Sequence, residues 1–302
     1  MDTDQDFARF LSLLVHLSPK HFPSILFRPF PLYSGVSRRR VIVKFCVLAS
    51  GSSGNAALLA TEKTRILIDA GLSMKELGNR MAAIGEDLED IDAILVTHEH
   101  SDHIAGLPVL ARRLKKDDQL KPFYLTHRTG PAIDWDGSIP VLEPFQAGAK
   151  FQIGDIEVQS FSIPHDAIDP VGFCFEAQGV RIGIATDLGY IPDSVKYHLR
   201  RVHVLLLEAN HDLEMLKVGP YPWSVKQRVM SRVGHLSNLV MSDYLMEELD
   251  TCTEHVILGH LSEHNNHPEI VRDAASQALF LRGLGPSLSI AEQSQPSEVF
   301  QF

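Results

Sequence analysis

Thr97-His98-Glu99-His100-Ser101-Asp102-His103 directly follows the apolar run Ile91-Asp92-Ala93-Ile94-Leu95-Val96. A buried strand therefore ends where a loop dense in imidazole and carboxylate begins. In extended chain the side chains at i and i+2 share a face, so His98 and His100 can grip one cation together. Asp102 and His103 follow as the chain turns into a helix expected to start at His103-Ile104-Ala105-Gly106. They face elsewhere, which suits a second cation a few ångströms away. Imidazole with carboxylate is a ligand set for zinc, manganese or iron.

Working outward, the same strand-then-polar-end pattern recurs. Upstream, strands are predicted over 41–49 and 56–61 around the turn Ser50-Gly51-Ser52-Ser53-Gly54-Asn55. That turn can also present N–H groups to a phosphate, but it lacks the Gly-Lys-Ser/Thr ending of a P-loop. A strand over 65–69 ends in Asp69, and Ser73 is placed to cap a helix reaching about residue 83. A helix over 105–116 follows the histidine motif. Downstream, strands are predicted over 123–126, 150–153, 157–163, 172–176, 180–185, 202–207 and 254–258, and helices over 225–232, 238–249 and 268–283. Four apolar strands run into a His or Asp: His98, His165, Asp187 and His260. Polar ends collected at one edge of a sheet are how a rigid scaffold builds a site.

No repeat or long linker interrupts residues 43–285, which read as a single domain. Residues 1–42 begin with an acidic stretch and carry Pro19, Pro23, Pro29 and Pro31 without periodicity. They are expected to be a disordered or over-called extension, with natural initiation at Val43 through a valine-type alternative start codon. Residues 286–302 read as a polar, frayed tail.

Bulk composition narrows the class. The 302 residues are 44% hydrophobic and 22% charged, ordinary for a soluble globular protein, and no run of about 18 apolar residues marks a membrane span. Three scattered cysteines, Cys46, Cys174 and Cys252, each lie in apolar chain. This argues for reduced thiols and a cytoplasmic location rather than a disulfide framework. The net charge of −10 argues against a broad basic surface for nucleic acid; the exceptions are Arg38-Arg39-Arg40 and Arg112-Arg113-Leu114-Lys115-Lys116. Two bound divalent ions would add about +4 locally and could draw phosphate to the site. Composition is silent on oligomeric state.

The H-x-H-x-D-H motif after an apolar strand resembles the metallo-β-lactamase superfamily. That resemblance implies an α/β fold, a four-layer αββα sandwich with a dinuclear metal site at one edge of the sheets. It implies that His98, His100 and His165 hold a first metal, that Asp102, His103 and His260 hold a second, and that Asp187 bridges the two. Asp69 matches the structural aspartate that braces the metal loop, and Asp102 would also orient the attacking water. Phe45 to Asn55, Glu208 to Leu216, Gly234 to Asn238 and Gly259 to Pro268 resemble the YycJ/WalJ-type metallohydrolases, across nearly all of the chain beyond residue 43. Such a resemblance implies 5′-to-3′ exonuclease activity on DNA. The pairing of Glu208-Ala209 with Gly234-His235-Leu236-Ser237 is also similar to the Glu/His proton shuttle of tRNA 3′-processing enzymes. Too few residues separate Asp187 from His260 for the large insertion of RNase J-like relatives.

The chemistry expected is hydrolysis of a phosphodiester through a metal-bound hydroxide, with two ions, zinc or manganese, or else iron, clamping the attacking and leaving oxygens. The leaving group needs an acid, for which Glu208 and His235 are the candidates. Ser52, Asn55, Asn210, His211, Tyr221, Asn265 and Asn266 are candidates to meet phosphate or terminal bases, or else to cap turns. Nucleic acid, DNA in preference, is the expected partner, without a membrane. Two alternatives stand beside this: a small-molecule ester or thioester hydrolase of the same superfamily, and a metal-binding regulatory module without turnover.

Overall fold

The apolar runs beyond Val43 become strands of two sheets in the computed structural model, which describes residues 43–116 and 120–302. The expected N-terminal extension, 1–42, lies outside the described residues. The first half of the chain supplies β1 (Lys44–Ala49), β2 (Ala56–Ala60), β3 (Arg65–Ile68), β4 (Ala93–Leu95), β5 (Pro122–Thr126) and β6 (Val141–Phe145). The second half supplies β7 (Lys150–Ile153), β8 (Ile156–Ser162), β9 (Val171–Ala177), β10 (Val180–Ala185), β11 (Val204–Glu208), β12 (His255–Gly259) and β13 (Ser287–Ile290), and β14 (Phe300–Gln301) returns to the first sheet. The orders are β14-β1-β2-β3-β4-β5-β6 and β13-β12-β11-β10-β9-β8-β7. From β3 to β6 and from β10 to β13 the pairing is parallel; the other pairs are antiparallel.

Helices cover the two outer faces: α1 (Met74–Ala83), α2 (Ser101–Ile104), α3 (Leu107–Lys116), α4 (Asp193–His198), α5 (Leu213–Val218), α6 (Trp223–Val229), α7 (Asn238–Glu247) and α8 (Pro268–Arg282). Strand periodicity sorts side chains between layers. In β11, Val204 and Leu206 join Val47, Ile68, Leu95 and Phe173 between the sheets, whereas Leu205 and Leu207 join Met241, Leu245, Val271 and Leu279 under α7 and α8. Leu58, Leu67, Ile94 and Phe123 likewise meet Leu77, Met81, Leu107 and Leu110 of α1 and α3. Central strands buried on both faces read as continuous apolar runs for this reason. The expected αββα sandwich is the observed architecture.

Two expectations need correction. The helix anticipated at His103 starts at Ser101, ends at Ile104 and restarts at Leu107. The break holds Gly106, where a Cβ would collide with the Leu72 carbonyl and crowd that of Ala70. Gly71, where a Cβ would collide with the Asp102 carbonyl, lets the loop after β3 press against the histidine loop in the same way. The segment 286–302 is no frayed tail, and the compact unit runs to Phe302. Ser287-Leu288-Ser289-Ile290 alternates with strand period and pairs with β12, while Phe300, 4% exposed, reaches the inter-sheet core beside β1. Its polar composition hid a few well-placed apolar anchors. β6 and the short helices α4 and α5 had no distinct sequence signal.

Candidate metal centre and active-site cleft

The strands β3, β4, β8, β10, β11 and β12 all end at one edge of the sandwich, and each delivers a polar residue there. Asp69 follows β3, His98 follows β4, His165 follows β8 and Asp187 follows β10, while Glu208 ends β11 and His260 follows β12. Asp69, Asp187 and His260 take left-handed backbone, with φ of 58°, 61° and 57°. This conformation is costly for residues with a Cβ but most accessible to Asn, Asp and His. It swings each side chain back across the edge.

The imidazoles are pinned from behind. His98 Nδ1 meets Thr97 Oγ1 at 3.0 Å, and that hydroxyl donates to Asp69 at 2.7 Å. His103 Nδ1 donates to the same Asp69 carboxylate at 2.7 Å, and Thr97 N donates to its other oxygen at 2.8 Å. His165 Nδ1 donates to the Gly234 carbonyl at 3.1 Å, and His260 Nδ1 donates to Glu208 at 3.0 Å. With four Nδ1 atoms engaged, four Nε2 atoms turn inward. Acceptors that fix the far nitrogen of a histidine in this way are the usual support of metal ligands.

The inward atoms fit cations better than they fit one another. His98 Nε2 and Asp187 Oδ2 are buried without a hydrogen-bond partner, a costly state for an apolar interior to hold. His165 Nε2 lies 3.1 Å from His100 Nδ1. Burial holds His98 well below the ordinary histidine range and His165 below it as well, favouring the neutral form that offers a lone pair. Ligand atoms of His98, His100 and His165 lie within 4.8 Å of one another, as do those of Asp102, His103 and His260. Asp187 reaches both sets: Oδ1 is 4.0 Å from His165 Nε2 in the first and 3.2 Å from His260 Nε2 in the second, and Oδ2 is 3.3 Å from His103 Nε2. The residues present therefore fit two neighbouring cations sharing one carboxylate.

Glu208 and His235 are brought together, but only one of them reaches solvent. Glu208 is wholly buried and accepts from Leu188 N at 2.9 Å, Leu236 N at 3.1 Å, His235 Nδ1 at 2.8 Å and His260 Nδ1 at 3.0 Å. Burial alone would push its carboxyl up; the imidazoles it binds outweigh that and hold it down at about 2. A carboxylate so fixed orients the two imidazoles that it binds. His235 has a side chain 21% exposed and is raised above its ordinary value: burial opposes the charged form, but the Glu208 carboxylate prevails. Its Nε2 is the open nitrogen, on a ring that lines the cleft.

That cleft, about 340 Å³, is lined by His100, Asp102, Asp187, His235 and His260, together with Ser52, Asn210 and Tyr221 among the expected substrate residues. The remaining four stand elsewhere. Asn55 lies beneath the histidine loop, donating to Asp102 at 3.1 Å and touching His103 Nε2 at 3.0 Å. His211 is 1% exposed, and burial brings it down to about 4; the parallel bridge to Ser237 holds it inside. Asn265 is fully buried on Ser262, and Asn266 ties the Ala209 carbonyl to Asn238. None of these four lines the cleft, and Asn266 lines an adjoining cavity instead. Ser101, Arg228, Val229 and Ser262 also line it, unforeseen. Arg228 pairs with Asp166 across the rim, a contact that no local motif announces.

Residues 64–260 match the β-lactamase superfamily domain. The chain is 40% identical over 248 residues to a Bacillus anthracis protein named exodeoxyribonuclease YycJ, covering 80% of this chain and 90% of that one. It is 38% identical to exodeoxyribonuclease WalJ of Streptococcus pneumoniae, with the same shares covered. The metallo-β-lactamase fold protein YhfI of Bacillus subtilis superposes with a TM-score of 0.68 at 16% identity, over 87% of this chain and all of that one, which shows the shared fold. By sequence and by architecture, this chain belongs to the metallo-β-lactamase superfamily, in the group that the YycJ and WalJ proteins represent.

Proposed function

We propose that this protein is a dinuclear metal-dependent phosphodiesterase that removes nucleotides from DNA, working from the 5′ end. The observation that carries the reading is the His235–Glu208 pair set at the cleft beside the double ligand cluster. A nucleotide's leaving oxygen is a poor leaving group without a proton, and His235 is the exposed imidazole placed to give one. The names of the YycJ and WalJ relatives support DNA as the substrate.

The geometry supports the following ligand roles. His98, His100 and His165 would hold one ion, Asp102, His103 and His260 the other, and Asp187 both. Mixed imidazole and carboxylate donors suit zinc or manganese, with iron also compatible. When bound, two such ions activate water and neutralise charge gathering on the phosphate. Asp102, with a side chain 21% exposed at the cleft, is positioned to accept a hydrogen bond from the attacking water. His235 then donates its Nε2 proton to the departing oxygen as the phosphorus–oxygen bond breaks, and recovers a proton from solvent. With Nδ1–H held by Glu208, the ring presents Nε2–H to the cleft as the imidazolium, the charged form that the Glu208 carboxylate favours. Ser52, Asn210 and Tyr221 are the chain's own candidates to contact the phosphate or its sugar.

Cys46, Cys174 and Cys252 are unpaired, and among the described residues no helix is long and apolar enough to cross a membrane. The buried, unpaired thiols of Cys46 and Cys174 support our reading of a reducing, cytoplasmic location. The deciding test uses metal-stripped protein reloaded with manganese or zinc, on 5′- and 3′-labelled DNA and RNA, single- and double-stranded. Metal-dependent shortening of DNA from the 5′ end, lost in Asp102→Ala, is the expected result. Turnover of thioesters with no nucleic acid cut would replace the reading with the small-molecule one.

A further inference from the structure

Beside the metal cleft lies a second cavity of about 420 Å³. Two chain segments build both spaces. The turn after β1 places Ser52 on the cleft and Ser53 on the cavity, and the loop after β12 gives His260 to the cleft and Glu263 to the cavity, with Ser262 on both. His260 and Ser262 are two residues apart, a reach of at most about 7 Å. The far wall is the C-terminal strap ahead of β14. Ser50 N donates to the Glu292 carbonyl at 3.1 Å and Ser53 bonds Gln293, which fixes the strap against the turn.

We infer that this cavity seats the base and sugar of the terminal nucleotide while its phosphodiester lies in the cleft. The inference deepens the phosphodiesterase reading and rests on it. A pocket of this size falls in the range of small-molecule sites and admits one nucleoside. Leu261, Pro268 and Ala291 offer an apolar wall for a base. Ser53, Ser262 and the Glu263 and Glu292 carboxylates can accept hydrogen bonds from a sugar hydroxyl or an exocyclic amine. No lysine or arginine lines the cavity among the described residues, and its one histidine, His267, is spent capping α8 through Nδ1. Two carboxylates without a cation repel phosphate, so the ligand here is the uncharged part of the nucleotide. A strand entering from the cleft meets the strap and stops, which makes the pocket a reader of chain ends.

The test pairs direct binding with kinetics. Ser294, on the exposed rim and absent from the cleft, is replaced in Ser294→Trp so that the indole fills the cavity. Saturation-transfer NMR with deoxyadenosine as the probe is expected to show binding to the natural chain and none to Ser294→Trp. In the DNA assay, an abasic terminal nucleotide is expected to raise KM about tenfold, about 1.4 kcal/mol. Ser294→Trp should raise KM for intact DNA to a similar degree, leaving bis(p-nitrophenyl) phosphate turnover unchanged. Deoxyadenosine that fails to bind, or binds equally to Ser294→Trp, overturns the pocket even if DNA is degraded. Deoxyadenosine bound as expected by a protein that cuts no DNA overturns the exonuclease reading instead, and with it the terminal-nucleotide role.

Discussion

Replacing His235 with alanine separates a proton donor from a scaffold residue. The ring is 21% exposed at the side chain and touches Glu208 through Nδ1 alone at 2.8 Å. After His235→Ala, Glu208 still accepts from Leu188 N, Leu236 N and His260 Nδ1. The variant loses one charge-assisted hydrogen bond, about 1.5–3 kcal/mol, and the ring's packing on His260 and His165, each with its centroid 5.2 Å away. Removing a general acid costs about 10²- to 10⁴-fold in rate, or about 2.7–5.4 kcal/mol of barrier. That penalty applies only where the leaving oxygen needs a proton. DNA, which expels a sugar alkoxide, should show the full loss in kcat, whereas thymidine 5′-p-nitrophenyl phosphate, which expels a stabilised phenolate, should be cut at nearly the natural rate. Metal content is measured alongside by mass spectrometry, because His235 also falls within 4.8 Å of a group containing Asp187 and His260. Equal losses on both substrates, or loss of an ion from the variant, would refute the assignment of His235 as the acid.

Other consequences are as readily measured. Asp69→Asn puts an amide against the donors Thr97 N, Thr97 Oγ1 and His103 Nδ1; titration calorimetry should show about 10- to 100-fold weaker metal binding. Phe300→Ala removes a ring from the inter-sheet core and should cost about 3–5 kcal/mol in urea denaturation; a change near zero would restore the view of a dispensable tail. Burial pushes the Cys174 thiol up to about 11 and raises Cys46 as well. At pH 8 only about one Cys174 in a thousand would be thiolate, so thiol reagents should label native protein at the half-buried Cys252 first. Glu86 bonds Lys44 and Arg65, each at 2.8 Å, and although burial pushes its carboxyl up, these cations bring it below its usual range. Its contribution is complete above the ordinary carboxylate pKa and fades as pH falls through the lowered one. Glu86→Gln should thus lower stability at neutral pH and flatten the acid limb of the melting curve.

What could be read from the chain alone was set by how local each signal is. His98, His100, Asp102 and His103 lie within one turn of loop, and their types and spacing announce a metal site before any fold is known. Strand-length runs give β8, β10 and β12 nearly to the residue: β12 and most of β10 are buried on both faces, and β8 alternates buried with half-buried positions. Where a residue's partner is remote in sequence, its role was not legible. Asn55 and Asn266 sit in the motifs that suggested substrate contact, yet each is bonded to a segment that only the fold brings near, Asp102 for the one and Ala209 for the other. His211 looks like a site histidine by its neighbours and is sealed inside by Ser237. Arg228 reaches the cleft without any motif at all. The C-terminal segment was misjudged by composition, since four apolar anchors, Leu288, Ile290, Ala291 and Phe300, outweigh the serines and glutamines around them.

The left-handed residues tie these levels together. A positive φ at Asp69, Asp187 and His260 costs of order 1–3 kcal/mol each, and packing alone gives no reason to accept it three times at one edge. Each strain is matched by a fixed contact. Asp69 N donates to the Leu95 carbonyl at 2.8 Å, extending the β3–β4 ladder by one rung. His260 N donates to Ser50 Oγ at 2.7 Å. Asp187 is followed by Leu188 N on Glu208. The same Glu208 holds His235 and His260, so one buried carboxylate supports a strained turn, a ligand histidine and the exposed imidazole together. A site built on strand ends fixes its donors at a cost, seen in the buried His98 Nε2 without a hydrogen-bond partner. Metal binding should relieve that cost and so raise stability in proportion to RT ln(1 + [L]/Kd), which makes the melting temperature of this protein rise with added zinc or manganese.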